Sequence, residues 1–162
     1  KPDFAVFGQK DYQQTLVIRQ LVKDLNFGIK IIVAPTTREK DGLALSSRNS
    51  YLSDENRKKA TIIYKSLETT LNSIEEGENK RKVINAILQK NLRSEKDIRI
   101  DYALSAAADN LDEPEMFEPG QHVVLLIACY MGKTRLIDNA LITIPGKSKE
   151  FNQSYTDNLP RI

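Results

Sequence analysis

The sequence of 162 residues contains one cysteine, one histidine and no tryptophan. The single cysteine, Cys129, excludes an internal disulfide and fits a reducing compartment. The single histidine, His122, excludes any mechanism within these residues that needs two. Basic and acidic residues number 24 and 22, and this balance gives no reason to expect nucleic acid as a partner.

Long apolar runs are also absent. No stretch is long enough to span a bilayer, and no charged-then-apolar signal segment stands at the start of the sequence. We therefore expect a cytoplasmic protein that does not bind membranes. Hydrophobic residues nevertheless make up 40% of the sequence, which is enough for a buried core.

Residues 1–33 predict a strand, a helix and a second strand. The apolar run Phe4–Phe7 predicts the first strand, and a helix is predicted over Asp11–Leu25. The predicted buried face of this helix carries Ile18, Leu21, Val22 and Leu25. The β-branched run Ile29–Val33 predicts a second strand, of the kind found in parallel sheets covered on both faces.

A polar loop over residues 34–52 separates this unit from a second one. Ser53 predicts a helix N-cap, and the helix that follows should end at Gly77. Its predicted buried face carries Ala60, Ile63, Tyr64, Leu67, Leu71 and Ile74. A second helix is predicted over Lys80–Leu92.

Three strands complete the pattern. Alternation in the first predicts a shared face for Ile98, Ile100, Tyr102 and Leu104. Val123–Tyr130 predicts a central strand, which a tight hairpin at Met131-Gly132-Lys133 joins to Thr134–Ile144. We therefore predict an α/β protein with part of a parallel sheet in residues 1–50 and a polar tail in residues 145–162. Residues 51–144 should form a small α+β domain with two helices and a largely antiparallel three-stranded sheet.

The stretch Phe7–Gln14 combines a strand end, a glycine and a helix start. Ligands of open α/β sheets bind at the carboxyl ends of strands, where a helix N-terminus offers free N–H groups to an anion. Lys10 opposes the helix dipole, and a bound phosphate would reverse that cost. Gly8 would allow close approach of a ligand, and Asp11 could accept hydrogen bonds from ribose hydroxyls. A solvated lysine, a tight turn and a helix cap are the purely structural alternatives.

A second polar stretch, Asp41–Asn49, lies in the loop after the second strand. Ser46 and Ser47 offer hydroxyl donors and Arg48 offers a planar guanidinium fork, a set that suits a polyphosphate. A plain surface turn would have the same composition. Both stretches belong to one strand–helix–strand–loop unit and can face one crevice, so their pairing is more specific than either alone.

These residues resemble the pantoate–β-alanine ligase (pantothenate synthetase) family. The likeness rests on Phe-Gly-x-Lys-Asp-x-Gln-Gln and on Asp-Gly-Leu-Ala-Leu-Ser-Ser-Arg-Asn-x-Tyr-Leu after one helix and one strand. Arg135–Asn139 also resembles the last strand of the family. The resemblance implies a Rossmann-like nucleotidyltransferase domain, of which residues 1–50 would be the C-terminal remnant. It also implies a ligase that condenses pantoate with β-alanine through a pantoyl adenylate, giving pantothenate, AMP and pyrophosphate.

The resemblance implies a role for each site residue. The ATP site would be formed by Gly8, Gln9, Lys10, Asp11, Thr37, Leu45, Ser46, Ser47 and Arg48. Within this site, Lys10 would contact the phosphates and Asp11 would contact the ribose. The backbone of Thr37 would contact the adenine. Phe7 and Gln14 would contact pantoate. ATP would enter with Mg²⁺ as a co-substrate, no metal would be bound by the protein alone, and the full-length enzyme would be a homodimer.

The His-x-Gly-His motif of the family and the glutamine shared by its two small substrates are absent from these residues. We therefore expect a C-terminal part of the enzyme, a truncated form or proteolytic product, without the catalytic histidines and unable to complete catalysis alone. The incomplete sheet predicts self-association, strand swapping or a disordered first segment. Two alternatives stay open: a related nucleotidyltransferase with another acceptor, and a non-catalytic binding or dimerisation module in residues 53–144.

Overall fold

The computed structural model describes residues 1–146. The order of elements is β1 (Phe4–Gly8), α1 (Tyr12–Asp24), β2 (Lys30–Ala34), α2 (Asp54–Lys59), α3 (Ile62–Glu75), α4 (Arg81–Leu92), β3 (Ile98–Ala107), β4 (His122–Met131) and β5 (Thr134–Thr143). A 3₁₀ helix, Ser47–Tyr51, lies in the loop after β2. Within residues 1–146, no helix combines the length and apolar character that crossing a membrane requires. Of the predicted polar tail, residues 145–162, the part from position 147 onward lies outside the described residues.

Strands β1 and β2 pair in parallel, from Phe4 opposite Lys30 to Gly8 opposite Ala34, with α1 as the crossover. The predicted buried face of α1 is wrong. Its buried residues are Tyr12 and Thr15, whereas Leu21 and Leu25 are 45% and 56% exposed. The helix packs by its first turns, where Tyr12 joins the apolar cluster beneath the antiparallel sheet, and periodicity does not reveal which end of a helix is covered.

The single helix predicted after Ser53 is divided into α2 and α3, so three α-helices rather than two lie between Ser53 and β3. The predicted cap is confirmed, because Ser53 Oγ accepts from the Asn56 N–H at 3.3 Å. Ala60 and Thr61, between the two helices, keep right-handed helical dihedral angles. The apolar spacing therefore continues across the junction and conceals it.

Strands β3, β4 and β5 form an antiparallel sheet in that order. One face of the sheet packs against α3 and α4, and the fully buried residues there include Ile63, Leu67, Ile84, Leu88, Val123, Leu125 and Ile127. A two-residue loop, Gly132-Lys133, joins β4 to β5, and Gly132 adopts a φ of +60° that favours glycine.

A β-bulge in β3 makes the second face of this sheet apolar as well. The register passes from Ile100 opposite Cys129 to Tyr102 opposite Ala128, so Asp101 has no partner in the ladder. Beyond the bulge every side chain is turned to the other face, and the predicted common face of β3 is wrong from Tyr102 onward. Tyr102 and Leu104 consequently pack with the cluster that contains Tyr12. The sheet can therefore bind the first unit of the chain on the face away from α3 and α4.

Candidate functional site

The structure brings the two polar stretches of the sequence together at the carboxyl ends of β1 and β2. The Gln9 N–H donates to the carbonyl of Ala34 at 2.8 Å and extends the pairing of the strands by one residue. Lys10 Nζ then donates to the carbonyl of Leu45 at 3.0 Å. The turn before α1 and the loop after β2 therefore form one edge, as their order in the chain predicts.

Lys10 is half-buried among charged groups of both signs. Burial lowers its pKa from the ordinary value, and the cationic charges of Arg48 and Arg38 act in the same direction, while Asp138 and Asp11 oppose them. The ammonium group is thus less well solvated than that of a free lysine. A bound anion would favour its charged form.

The start of α1 is open to a ligand. Asp11 stands at the N-cap position, but its exposed carboxylate makes no capping hydrogen bond. Gly8 has no left-handed φ, and a Cβ built on it would meet no atom within 4 Å. Neither turn geometry nor packing in residues 1–146 therefore requires glycine at this position. Space beside the backbone of Gly8 remains for a bound molecule.

Internal hydrogen bonds fix the loop after β2. The Leu45 N–H donates to the carbonyl of Thr37 at 2.8 Å, and Ser46 Oγ accepts from the Arg48 N–H at 3.2 Å, which caps the 3₁₀ helix. Thr37, Leu45, Ser47 and Arg48 are exposed. Hydrogen bonds within the loop fix its backbone, while the exposed Ser47 hydroxyl and Arg48 guanidinium are available to a ligand.

The two residues predicted to contact pantoate lie on separate elements. Phe7 is half-buried in β1, opposite Val33 of β2. Gln14 is exposed in the first turn of α1. Phe7 lies just before the turn that carries Lys10, and Gln14 lies just after it, so both are near the same edge of the sheet.

Arg38 and Asp138 form a bidentate ion pair that the sequence alone does not predict. Arg38 Nη1 and Nη2 donate to the Asp138 carboxylate at 2.6 and 3.0 Å, and the Asp138 side chain is only 1% exposed. Arg38 also donates to the carbonyl of Gly42 at 3.0 Å and lies over the ring of Tyr64. The available signal was Asp138-Asn139 within the apolar run of β5, because buried polar groups require partners.

Asn139, the next residue of β5, binds the turn that carries Lys10. Its Nδ2 donates to the carbonyls of Gln9 and Lys10 at 3.0 and 2.9 Å, and its Oδ1 accepts from Gln9 Nε2 at 3.2 Å. Asn139 is 1% exposed. A residue of the antiparallel sheet therefore fixes the backbone at the start of α1.

A protein-held Mg²⁺ does not fit the described residues. Residues 1–146 contain no group of three His, Cys, Asp or Glu side chains that could hold a metal ion. Near Lys10, the Asp138 carboxylate is occupied by Arg38, so that Asp11 is the one acidic ligand left among the charged groups of residues 1–146 that act on Lys10. A hard cation such as Mg²⁺ needs more oxygen ligands than that.

The fold and this edge define an α/β protein that carries cationic side chains, Lys10 and Arg48, beside the ends of its parallel strands. The family model described as pantoate-beta-alanine ligase matches residues 1–141, and the chain belongs to this family. The resemblance inferred from the two sequence motifs is thus confirmed.

Two curated relatives show how much of their length the chain matches. The chain is 44% identical over 144 residues to the pantothenate synthetase of Moorella thermoacetica, a match that covers 89% of this chain and 50% of the relative. It is 41% identical over 145 residues to that of Salinibacter ruber, with 90% and 49% covered. The chain therefore spans about half the length of the curated relatives it matches.

Solved structures agree with this assignment. The pantothenate synthetase of Thermus thermophilus has a TM-score of 0.79 and 36% identity, with 89% of this chain and 50% of that one covered. A pantoate-beta-alanine ligase from Francisella tularensis, complexed with β-γ ATP and β-alanine, has a TM-score of 0.54 and 30% identity, with 86% and 43% covered.

Proposed function

We propose that this chain supplies one wall of the ATP and pantoate site of an AMP-forming ligase that joins pantoate to β-alanine. The hydrogen bond from Lys10 Nζ to the carbonyl of Leu45 at 3.0 Å carries the proposal, because it unites both sequence motifs at one edge. Family membership supports the choice of substrates. In this proposal β1, α1 and β2 belong to a Rossmann-like domain that ends near residue 50.

Each part of the edge has a task in ATP binding. Lys10, Ser46, Ser47 and Arg48 bind the phosphates together with free N–H groups at the start of α1. Asp11 accepts from the ribose hydroxyls, the backbone of Gly8 and Gln9 lies against the nucleotide, and Thr37 contacts adenine through its backbone. Mg²⁺ would neutralise further phosphate charge and would be held by those phosphates.

The proposed reaction has two steps. The carboxylate of pantoate, held by Phe7 and Gln14, attacks the α-phosphorus of ATP, and pyrophosphate leaves as the new P–O bond forms. The amine of β-alanine then attacks the acyl carbon of the adenylate, giving the amide and releasing AMP. Lys10 and Arg48 stabilise the charge that develops on the phosphates, a type of contribution worth about 3 kcal/mol for each group.

We further propose that the 162 residues do not complete this reaction alone and that the full-length enzyme is a homodimer. One face of the β1–β2 pair is apolar and exposed, with Phe4 and Val6 at 58% and 65%. The one histidine, His122, is hydrogen-bonded to Thr143 Oγ1 on the antiparallel sheet at 2.8 Å. Both observations support an active site that is incomplete within these residues.

A chimaera tests the proposal. Residues 1–146 of this chain replace the aligned half of the Moorella thermoacetica relative, and pantothenate, AMP and pyrophosphate are measured. We expect all three products, with a loss of on the order of 100-fold for Lys10→Ala. Lys65→Ala, on the exposed surface of α3, is the matched control and should leave the rate unchanged. A folded chimaera that makes no pantothenate would contradict the proposal, and a dinucleotide product would favour a related nucleotidyltransferase.

A further inference from the structure

Strand β5 lies at the edge of the antiparallel sheet and presents two polar residues in succession. Asp138 stands opposite Ile127 of β4, and Asn139 stands opposite Leu126. Ile127 belongs to the core with α3 and α4, whereas Leu126 belongs to the cluster with Tyr12. Because consecutive residues of a strand point to opposite faces, Asp138 and Asn139 face different sides of the sheet.

On one face, Asn139 holds the turn before α1. A single carboxamide uses both its donor and its acceptor on this turn, donating to two successive carbonyls and accepting from the side chain of Gln9. These bonds fix the peptide planes on either side of Lys10. The direction of the Lys10 side chain thereby depends on a residue 129 positions away in the sequence.

On the other face, Asp138 holds the loop after β2 through Arg38. The bidentate pair fixes the guanidinium, which also donates to the carbonyl of Gly42. Arg38 forms a backbone bridge with Ala44, the residue before Leu45. The carbonyl that accepts from Lys10 is therefore positioned from the opposite side of the same strand.

We propose that Asp138 and Asn139 are positioning residues of the nucleotide site, which set the Lys10 turn and the Leu45 loop against each other across the edge of β5. This inference rests on the proposed function, because the effect expected from the two residues is an effect on ATP binding. The competing explanation is that the two residues only satisfy buried polar groups and stabilise the fold. The two explanations make different predictions for a variant that still folds: only the positioning role predicts that the Lys10 side chain changes its place and that ATP binding weakens.

The experiment uses the full 162-residue chain with ¹⁵N and lysine-selective ¹³C labels. Amide signals of Gln9 and Lys10 and the Lys10 side-chain signal are recorded during a titration with ATP, in the wild type and in Asn139→Ala. Asn85→Ala is the matched control, because Asn85 is also a polar contact of the sheet, accepting at 2.7 Å from Ser105, but on the α4 side. Arg38→Lys keeps the charge and removes the bidentate fork.

We expect Asn139→Ala and Arg38→Lys to shift the Lys10 signals and to weaken ATP binding roughly tenfold, as misplacement of a binding group does. Asn85→Ala should lower thermal stability and leave both readouts at Lys10 unchanged. Folded Asn139→Ala and Arg38→Lys variants with wild-type Lys10 signals and ATP affinity would overturn the proposal. If Asn139→Ala does not fold, Arg38→Lys decides. If the wild type binds no ATP, one wall of the site does not suffice for binding; the chimaera then tests the proposed function separately, and the Lys10 signals still decide the positioning role.

Discussion

Two glycines lie close to the site, and they differ in what the fold demands of them. Gly42 has a φ of +88°, and a Cβ there would lie 2.0 Å from Cδ1 of Tyr64. Its carbonyl also accepts from Arg38. Gly8 shows neither constraint, since its φ is not left-handed and a Cβ there would meet no atom of residues 1–146 within 4 Å. The fold therefore needs glycine at position 42 but not at position 8, where the proposed ATP site would explain it.

Alanine substitution should separate these two roles. Gly42→Ala should lower the free energy of unfolding by about 2 kcal/mol or more, because it combines a strained backbone with a clash. Gly8→Ala should change stability by less than about 0.5 kcal/mol but weaken ATP binding, because its Cβ occupies space that the nucleotide needs. Urea unfolding and calorimetric titration measure the two quantities. Loss of stability in both variants, with equal ATP affinity, would contradict this division of roles.

At the scale of residues, the sequence predicts the parts of the site that are contiguous. Lys10 and Arg48 stand within short stretches whose local order already indicates a strand end, a helix start and a polar loop. Asn139 and Arg38 act across separations of 130 and 100 residues. One sequence contains no signal that pairs positions so far apart, except that buried polar residues must have partners.

At the scale of elements, α2 is joined to the loop after β2 by Arg57. Its guanidinium donates to Asp41 at 2.8 Å and to Glu39 at 2.7 Å. These hydrogen bonds hold the pKa values of both carboxylates below their usual range. The loop that carries the serine and arginine donors is therefore held by Arg38 on one side and by Arg57 on the other.

The pH dependence of stability should report the Arg57 contact. A carboxylate with a lowered pKa adds stability above its unfolded pKa and loses it as the pH falls through the folded pKa. Arg57→Gln should therefore lower the melting temperature at pH 7, and the difference from wild type should begin to shrink below about pH 4, where the unfolded carboxylates take up protons, and go on shrinking as the pH falls through the lowered folded pKa values. Arg93→Gln, whose guanidinium contacts Gln89 rather than a carboxylate, is the control. A difference that is the same at all pH values would contradict this account.

Element types could be predicted from periodicity, whereas three details could not. The predicted face of β3 is correct at Ile98 and Ile100, and the bulge at Asp101 then turns the following side chains to the other face. The alternation of apolar residues alone does not reveal where a strand contains an extra, unpaired residue. The junction at Ala60-Thr61 keeps helical dihedral angles and so keeps the apolar spacing. In α1, the pattern marks Leu21 and Leu25 as apolar, but burial depends on which neighbours are present.

At the scale of the whole molecule, the parallel pair presents an apolar face that no other element of residues 1–146 covers. Phe4 and Val6 alternate onto this face and are 58% and 65% exposed, and Ile32, opposite Val6, is 41% exposed. Residues Phe4–Gly8 form a paired strand, so the expectation of a disordered first segment is wrong. Self-association through this face, which we call the open face, stays a prediction.

Sedimentation of the 162-residue chain tests the open face. We expect association that increases with concentration, because the exposed side chains gain by leaving water. Val6→Lys should shift the equilibrium towards monomer, since burying an unpaired ammonium is costly. Val83→Lys makes the same change at an apolar residue of α4 that is 38% exposed, and should leave association unchanged. A wild-type chain that stays monomeric at high concentration would contradict the prediction.

The two-residue hairpin between β4 and β5 limits how this sequence can change in length. With Met131 opposite Thr134, the hairpin sets the register along the whole of β5. One inserted or deleted residue at the start of that strand would exchange the faces of Asp138 and Asn139, and both would lose their partners together. Substitutions in the hairpin are therefore tolerated if they preserve its length and the left-handed φ at position 132. A change of one residue in length is not tolerated, because it shifts the register of β5 and so removes the contacts of Asn139 with the turn that carries Lys10.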